Sequence, residues 1–216
     1  MRTPIAVFAS GTGSNFQALV EHMENRETSY RIVLLVCDRP DAPVLQKAEQ
    51  FGIKALALRP KDYPTKEAYE EEILGQLKTL GVKWIILAGY MRLIGRTLLQ
   101  SYPQRIVNLH PSLLPAFPGK DAIAQAFRYG VKVTGVTVHL VDEGLDSGPI
   151  LAQKAVSIQE GESLGRITEK IHHTEHLLYP MVVDRLVREG IIVEGRKVTW
   201  LGSASQADMG NMPEFQ

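Results

Sequence analysis

Cysteine is nearly missing from the 216-residue chain: Cys37 stands alone, so no internal disulfide can staple the fold and a reducing compartment is expected. An excess of charge of one sign is missing too. Lys plus Arg number 24 and Asp plus Glu number 24, which removes the general field that wraps a polyanion and leaves nucleic acid an unexpected partner. No apolar run approaches the roughly 20 residues that cross a bilayer, and Met1-Arg2-Thr3-Pro4 leads into a strand-like run without a signal-peptide core. A soluble, cytoplasmic protein with no membrane partner is expected. Internal repeats and low-complexity linkers are absent as well. The remaining composition, 44% hydrophobic and 22% charged, is near the globular average and suits one core of ordinary size.

From Ile5 onward, short β-branched runs alternate with helical patterns, the rhythm of β-α-β units around a mainly parallel sheet. Strands are predicted over 5–9, 32–37, 53–58 and 84–88, the last apolar throughout and so buried on both faces. Helices are predicted from Phe16 to Met23, over 44–51 with Gly52 closing the end, and from Lys66 to near Gly81 with Thr65 as cap. The second half changes character. A strand over 105–109 runs into Pro111, Pro115 and Pro118, which leave no room for a helix between them. A helix over 122–129 ends at Gly130, and strands over 135–141 and 149–156 can pair as a hairpin. A long helix from Ser163 to about Arg188 and a short hairpin of 191–193 with 198–200 follow. The fold expected is α/β: one domain over 1–202, with an open, twisted, mainly parallel sheet. Its Rossmann-like half covers about 1–100 and a half with antiparallel strands about 101–202, with a mobile tail over 203–216.

Gly11 and Gly13 interrupt the first strand-to-helix turn within Ser10-Gly11-Thr12-Gly13-Ser14-Asn15. Backbone N–H groups at a helix N-terminus favour a phosphate, and Ser14 and Asn15 add side-chain donors. A dinucleotide fingerprint would need a third glycine where Phe16 stands, so the turn suits one phosphate better than a pyrophosphate. Asp38 occupies the place of a ribose-reading acid and keeps a nicotinamide enzyme open; a tight turn capped by Ser14 and Asn15 is the structural alternative. His172, His173, Glu175 and His176 fit H-x-x-E-H, a zinc pattern. A third protein ligand is not identifiable, so no metal is expected and Glu175 is read as facing a ligand from a helical surface.

The most informative stretch is Asn108-Leu109-His110-Pro111-Ser112-Leu113-Leu114-Pro115, with Asp142-Glu143-Gly144-Leu145-Asp146-Ser147-Gly148-Pro149 further on. Asn108 and His110 lie two apart at the carboxyl end of a strand, so an extended backbone points both side chains one way, at the edge where open α/β sheets place ligands. Three prolines stiffen the loop that follows. Asp146, in a glycine-flanked loop, can approach the imidazole and favour its charged form. Packed separately, the Asn and His would be ordinary structural polar residues.

Over about residues 4–201 these motifs resemble the folate-dependent formyltransferases. The resemblance implies transfer of a formyl group from 10-formyltetrahydrofolate, a co-substrate, to the amine of glycinamide ribonucleotide in purine biosynthesis, with no metal. It implies that Asn108, His110 and Asp146 form the catalytic set, that Gly11, Thr12, Gly13, Ser14 and Asn15 hold the phosphate, and that Glu175 accepts from the ribose. Folate contacts are implied for Lys66, Met91, Arg92, Leu93, Ile94, Asn108, Asp142, Glu143, Gly144 and Asp146. Relatives carry an arginine at the position of Lys66, and lysine lacks its planar fork. The resemblance also makes Leu114-Pro115 a cis bond. A tRNA-formylating relative would need a basic extra domain, a formylfolate hydrolase a regulatory one, and a serine hydrolase a nucleophile elbow around Ser112. A non-catalytic nucleotide-binding module would keep only the phosphate turn. Small-molecule substrates are the expected partners, and the sequence selects neither monomer nor homodimer.

Overall fold

Alternation of β-branched strands with capped helices produces a seven-stranded sheet in the order β3-β2-β1-β4-β5-β6-β7, with a separate two-stranded β8-β9 ribbon. The computed structural model describes residues 1–202; the expected mobile tail over 203–216 lies outside the described residues. Within those described, no helix is long and apolar enough to cross a membrane.

The chain divides into two compact units, the first comprising Met1–Asn108 with Val141–Glu143. Here β1 (Thr3–Ala9), β2 (Tyr30–Cys37), β3 (Ala55–Ala57), β4 (Trp84–Leu87) and the start of β5 (Ile106–His110) run parallel. All four residues of β4 are buried, as a strand covered on both faces requires. Helices α1 (Ser14–Asn25), α2 (Val44–Gln50) and α3 (Lys66–Thr79) are the crossovers. Thr65 Oγ1 accepts from the Ala68 N–H at 3.1 Å and so starts α3, a cap worth about 1 kcal/mol. Phe8, Val36, Ile73, Leu77, Ile85 and Leu98 close the core between sheet and helices.

Two elements of this unit depart from the sequence reading. β3 is confined to Ala55–Ala57 instead of the six residues expected, and Ala55 and Ala57 are exposed, so the edge strand has too little apolar surface to extend pairing. α4 (Arg96–Ser101) is a helix that periodicity missed, six residues long and without a side-chain cap from Gly95. Its N-terminus is held instead by buried Glu70, whose carboxylate accepts from the Gly95 N–H at 2.5 Å and weakly from Leu98 at 3.4 Å. A 3₁₀ turn also forms at Pro60–Asp62.

The second unit comprises Leu109–Leu140 and Gly144 onward. It holds α5 (Ala122–Tyr129), β6 (Val133–Leu140), β7 (Ile150–Ser157), α6 (Leu164–Glu189), β8 (Ile191–Glu194) and β9 (Lys197–Trp200). β6 and β7 pair antiparallel as expected, with a register shift between Val138 and His139. Ser163 Oγ caps α6 by accepting from the Arg166 N–H at 3.2 Å, and Ile167, Ile171, Leu178, Val182 and Leu186 form its buried stripe.

Candidate functional site

In the first unit, β1 ends at a turn that only glycine can make. Gly13 precedes α1 with φ of 73°, and a Cβ built there would stand 2.4 Å from Cγ2 of Val44. The Val44 N–H donates to the Gly11 carbonyl at 3.1 Å, locking the turn against α2. Because Gly13 has no side chain, none caps this end of α1; first-turn N–H groups and the positive dipole end of a helix favour negative charge. Gly11, Ser14 and Asn15 are half-buried and Thr12 is exposed.

Asp38 is engaged within the protein: Ser10 Oγ donates to its carboxylate at 2.5 Å and accepts from the Met91 N–H at 2.9 Å. One hydroxyl thereby ties the carboxyl ends of β1 and β2 to the turn after β4. Met91, Arg92 and Leu93 are exposed and Ile94 is buried in that turn. Exposed large apolar side chains at Met91 and Leu93 offer surface to an apolar ligand. Lys66 is exposed at the start of α3, and Asp142 and Glu143 are exposed on the loop after β6. Glu143 stands 3.9 Å from Arg96, both largely in solvent, a pair that contributes little stability. Asn108 is half-buried, opposite Leu87 in the β4-β5 pairing.

The second unit brings His110 and Asp146 together. His110 is 4% exposed; its Nε2 lies 2.8 Å from the Phe117 carbonyl, which can only accept, so this nitrogen donates. Nδ1 lies 3.4 Å from Oδ2 of Asp146, an ion-pair distance beyond a normal hydrogen bond. Both ring nitrogens thus face acceptor oxygens. The Gly119 N–H donates to Oδ2 at 2.8 Å. Asp146 (φ 51°) and Phe117 (φ 52°) both take left-handed backbone conformations; aspartate visits that region readily, whereas a bulky residue such as Phe117 adopts it only when its surroundings impose it.

Those surroundings are a hydrogen-bonded brace. Buried Ser112 donates to the Ala116 carbonyl at 2.5 Å. Thr137 Oγ1 on β6 donates to the Ser112 carbonyl at 2.6 Å and accepts from the Leu114 N–H at 3.0 Å. Gln153 on β7 donates to the Leu114 carbonyl at 2.9 Å. The proline loop is therefore fastened to the β6-β7 pair, and Leu114-Pro115 is cis, as the resemblance implied.

Three contributors had no role assigned from the sequence. His139 is buried with Nε2 3.7 Å from Oδ1 of Asp146, so the carboxylate sits between two imidazoles; the bulge at Val138/His139 is the kind of irregularity that re-aims a side chain. Gly119 and Phe117 act through backbone groups, which sequence does not display. On α6, Glu175 is 6% exposed, close enough for its charge to add to the burial that raises the Tyr179 phenol. His172 and His176 stack with ring centroids 6.5 Å apart. Among the described residues no group of three His, Cys, Asp or Glu side chains is gathered as a metal site would require.

A family model described as Formyl transferase matches residues 3–183. The phosphoribosylglycinamide formyltransferase of Bacillus subtilis (strain 168) is 55% identical over 182 residues, 84% of this chain and 93% of that protein. The crystal structure of glycinamide ribonucleotide transformylase 1 from Geobacillus kaustophilus is 55% identical, with a TM-score of 0.85 over 87% of this chain and 100% of that one. The corresponding Symbiobacterium toebii structure is 39% identical, with a TM-score of 0.89 over 93% of this chain and 95% of that one. On the match over 3–183 and on these identities, the chain belongs to the formyl transferase family.

Proposed function

We propose that the protein transfers the formyl group of 10-formyltetrahydrofolate to the amine of glycinamide ribonucleotide in purine biosynthesis, without a metal. The observation that carries this reading is the Asp146 carboxylate 3.4 Å from Nδ1 of His110, whose other nitrogen is occupied by the Phe117 carbonyl. That leaves the Nδ1 edge of the ring for chemistry.

Attack of the amine on the formyl carbon forms a C–N bond and places negative charge on the formyl oxygen. His110, through Nδ1–H, and Asn108, through its carboxamide, supply the donors for that oxygen; each such donor is typically worth ~10²–10³ in rate. Asn108 stands two residues before His110 on β5, so strand alternation supports a shared direction. Collapse breaks the bond from the formyl carbon to the folate nitrogen. The proton lost by the attacking amine must reach that nitrogen, and the Asp146–His110 pair carries it, general acid–base work of ~10²–10⁴.

Gly11, Thr12, Gly13, Ser14 and Asn15 bind the ribonucleotide phosphate through backbone and side-chain donors, and Glu175 accepts from the ribose hydroxyls. Met91, Arg92, Leu93 and Ile94, with Asp142, Glu143 and Gly144, contact the pterin, and Lys66 pairs with a folate carboxylate as a point charge. The division of labour is a phosphate-binding first half and a folate and catalytic second half, with Lys66, Met91, Arg92, Leu93 and Ile94 as folate contacts from the first half and Glu175 as a ribose contact from the second.

The test is folate absorbance followed with and without glycinamide ribonucleotide. Turnover that requires the amine and yields one formylated ribonucleotide per folate released is expected. Folate release without the amine would identify a hydrolase, and no turnover with both substrates would remove the assignment.

A further inference from the structure

The β8-β9 ribbon stands apart from the seven-stranded sheet, and an isolated two-stranded hairpin is marginal in water, so it needs an anchor. It has one on α6. The Arg185 guanidinium lies over the Trp200 ring, 4.4 Å from its centroid, and Arg185 pairs with Glu189 at 2.8 Å, both side chains 8% exposed. At the same end the Leu201 N–H donates to the Gly190 carbonyl at 3.2 Å. The pairing then runs from Ile191 opposite Trp200 to Glu194 opposite Lys197 and ends in a two-residue tip, Gly195-Arg196. Gly195 takes a φ of 60°, the conformation that the first position of a tight hairpin turn demands.

The tip reaches the loop that carries Asp146. Nη1 of Arg196 donates to the Ser147 carbonyl, 49 residues back in the chain. An exposed arginine that meets a carbonyl is commonplace on a surface, but this carbonyl belongs to the residue directly after Asp146. The loop is closed at its base by the Leu140 N–H, which donates to the Pro149 carbonyl at 2.9 Å. Within 144–148 the large apolar side chain is Leu145, and it is 57% exposed, so apolar burial does little to fix the loop's shape. Polar contacts do that work: the Gly119 N–H holds the Asp146 carboxylate at 2.8 Å, and Arg196 holds the carbonyl of the next residue.

We propose that Arg196 is a positioning residue for Asp146: from a ribbon braced on α6 it fastens the Ser147 carbonyl and so keeps the Asp146 carboxylate within reach of His110. The role rests on the catalytic reading of Asp146 above. Asp146 stands 3.4 Å from Nδ1 of His110, and a misplacement of about 1 Å caused by a change far from the chemistry can cost ~10² in rate. Arg196 acts through the backbone and needs one N–H to do so, a donor that a lysine ammonium also supplies.

The experiment has one arm without substrates and one with them. The Gly119 amide, bonded to Oδ2 of Asp146, reports the place of the carboxylate, so its resonance and hydrogen exchange are followed by nuclear magnetic resonance in the parent, Arg196→Ala, Arg196→Met and Arg196→Lys. Arg196→Met keeps the apolar stem without the donor and decides the matter where alanine loosens the ribbon itself. Exchange at Gly119 about tenfold faster or more is expected in the alanine and methionine variants and near-parent exchange in the lysine variant, with the amides of β6, β7 and β9 unchanged. With substrates, kcat should fall about fivefold or more in the first two variants and largely recover in the third, while the KM for the ribonucleotide stays within about twofold. In an Asp146→Ala background, single-turnover rates should show no further loss from Arg196→Ala, as expected of a residue that acts through Asp146. An unmoved Gly119 amide, a parent-level kcat in both donor-lacking variants, or an undiminished loss in the Asp146→Ala background would each overturn the proposal. Should the parent itself transfer no formyl group, the reading of the reaction fails, and the Gly119 amide alone decides whether Arg196 places Asp146.

Discussion

Oδ2 of Asp146 stands 3.4 Å from Nδ1 of His110, and the same oxygen accepts the Gly119 N–H at 2.8 Å. The acid is thus aimed at the imidazole by a backbone donor, and the imidazole is held by the Phe117 carbonyl at 2.8 Å. Left-handed backbone at Phe117 costs of order 1–3 kcal/mol. The Ser112, Thr137 and Gln153 brace offsets that cost by giving the loop's polar groups partners within the protein.

Replacing Ser14 and Asn15 together by alanine removes side-chain donors at the N-terminus of α1. The expected result is a KM for the ribonucleotide raised about tenfold or more with kcat little changed, and no change with an amine that lacks the phosphate. Steady-state kinetics with both amines checks it.

Gly13→Ala combines a φ of 73° with a Cβ 2.4 Å from the Val44 side chain. A loss of about 2–4 kcal/mol is expected from strain and overpacking together, read by denaturant unfolding. Adding Val44→Ala should recover only the overpacking part, because the backbone strain does not depend on Val44.

Glu70 is 3% exposed and accepts from the Gly95 and Leu98 N–H groups. Glu70→Ala leaves these donors without their acceptor, at about 1–3 kcal/mol for a buried one. A lower melting temperature and faster hydrogen exchange across α4 are expected, with α1 unaffected. Glu70→Gln, which keeps an acceptor oxygen, should recover part of the loss.

Burial pushes the Tyr69 phenol from 10.0 up to about 12 and raises Tyr90 as well; their hydroxyls lie 2.9 Å apart. Between pH 10 and 12 the unfolded chain therefore holds fewer protons than the folded one, so stability is full below pH 10 and falls as pH rises toward 12. Unfolding free energy measured from pH 9 to 12 should show that decline, and Tyr69→Phe should make it shallower.

Much of the scaffold is legible in the sequence because local and tertiary preferences agree there. Thr65 and Ser163 cap the helices they precede, the apolar run at Trp84 is buried throughout, and β6 and β7 pair across the glycine-rich loop. α4 was not legible, since six residues carry little periodicity and its capping carboxylate comes from Glu70 on another helix. β3 read as longer because Ile53 and Leu58 extend its apolar pattern beyond Ala55–Ala57. At the site, His110 and Asp146 were visible as polar residues in a proline-rich strand end and a glycine-flanked loop. His139 was not: it lies in an apolar strand, and its approach to Asp146 depends on a bulge and on how the β6-β7 loop folds back.

The most direct measurement is single-turnover formyl transfer by His110→Ala and by Asp146→Ala, with circular dichroism to verify the fold. A rate lowered at least a hundredfold in each variant, with native secondary structure and a melting temperature near that of the parent, is the expected result. A near-native rate in either variant would contradict the catalytic role of the pair.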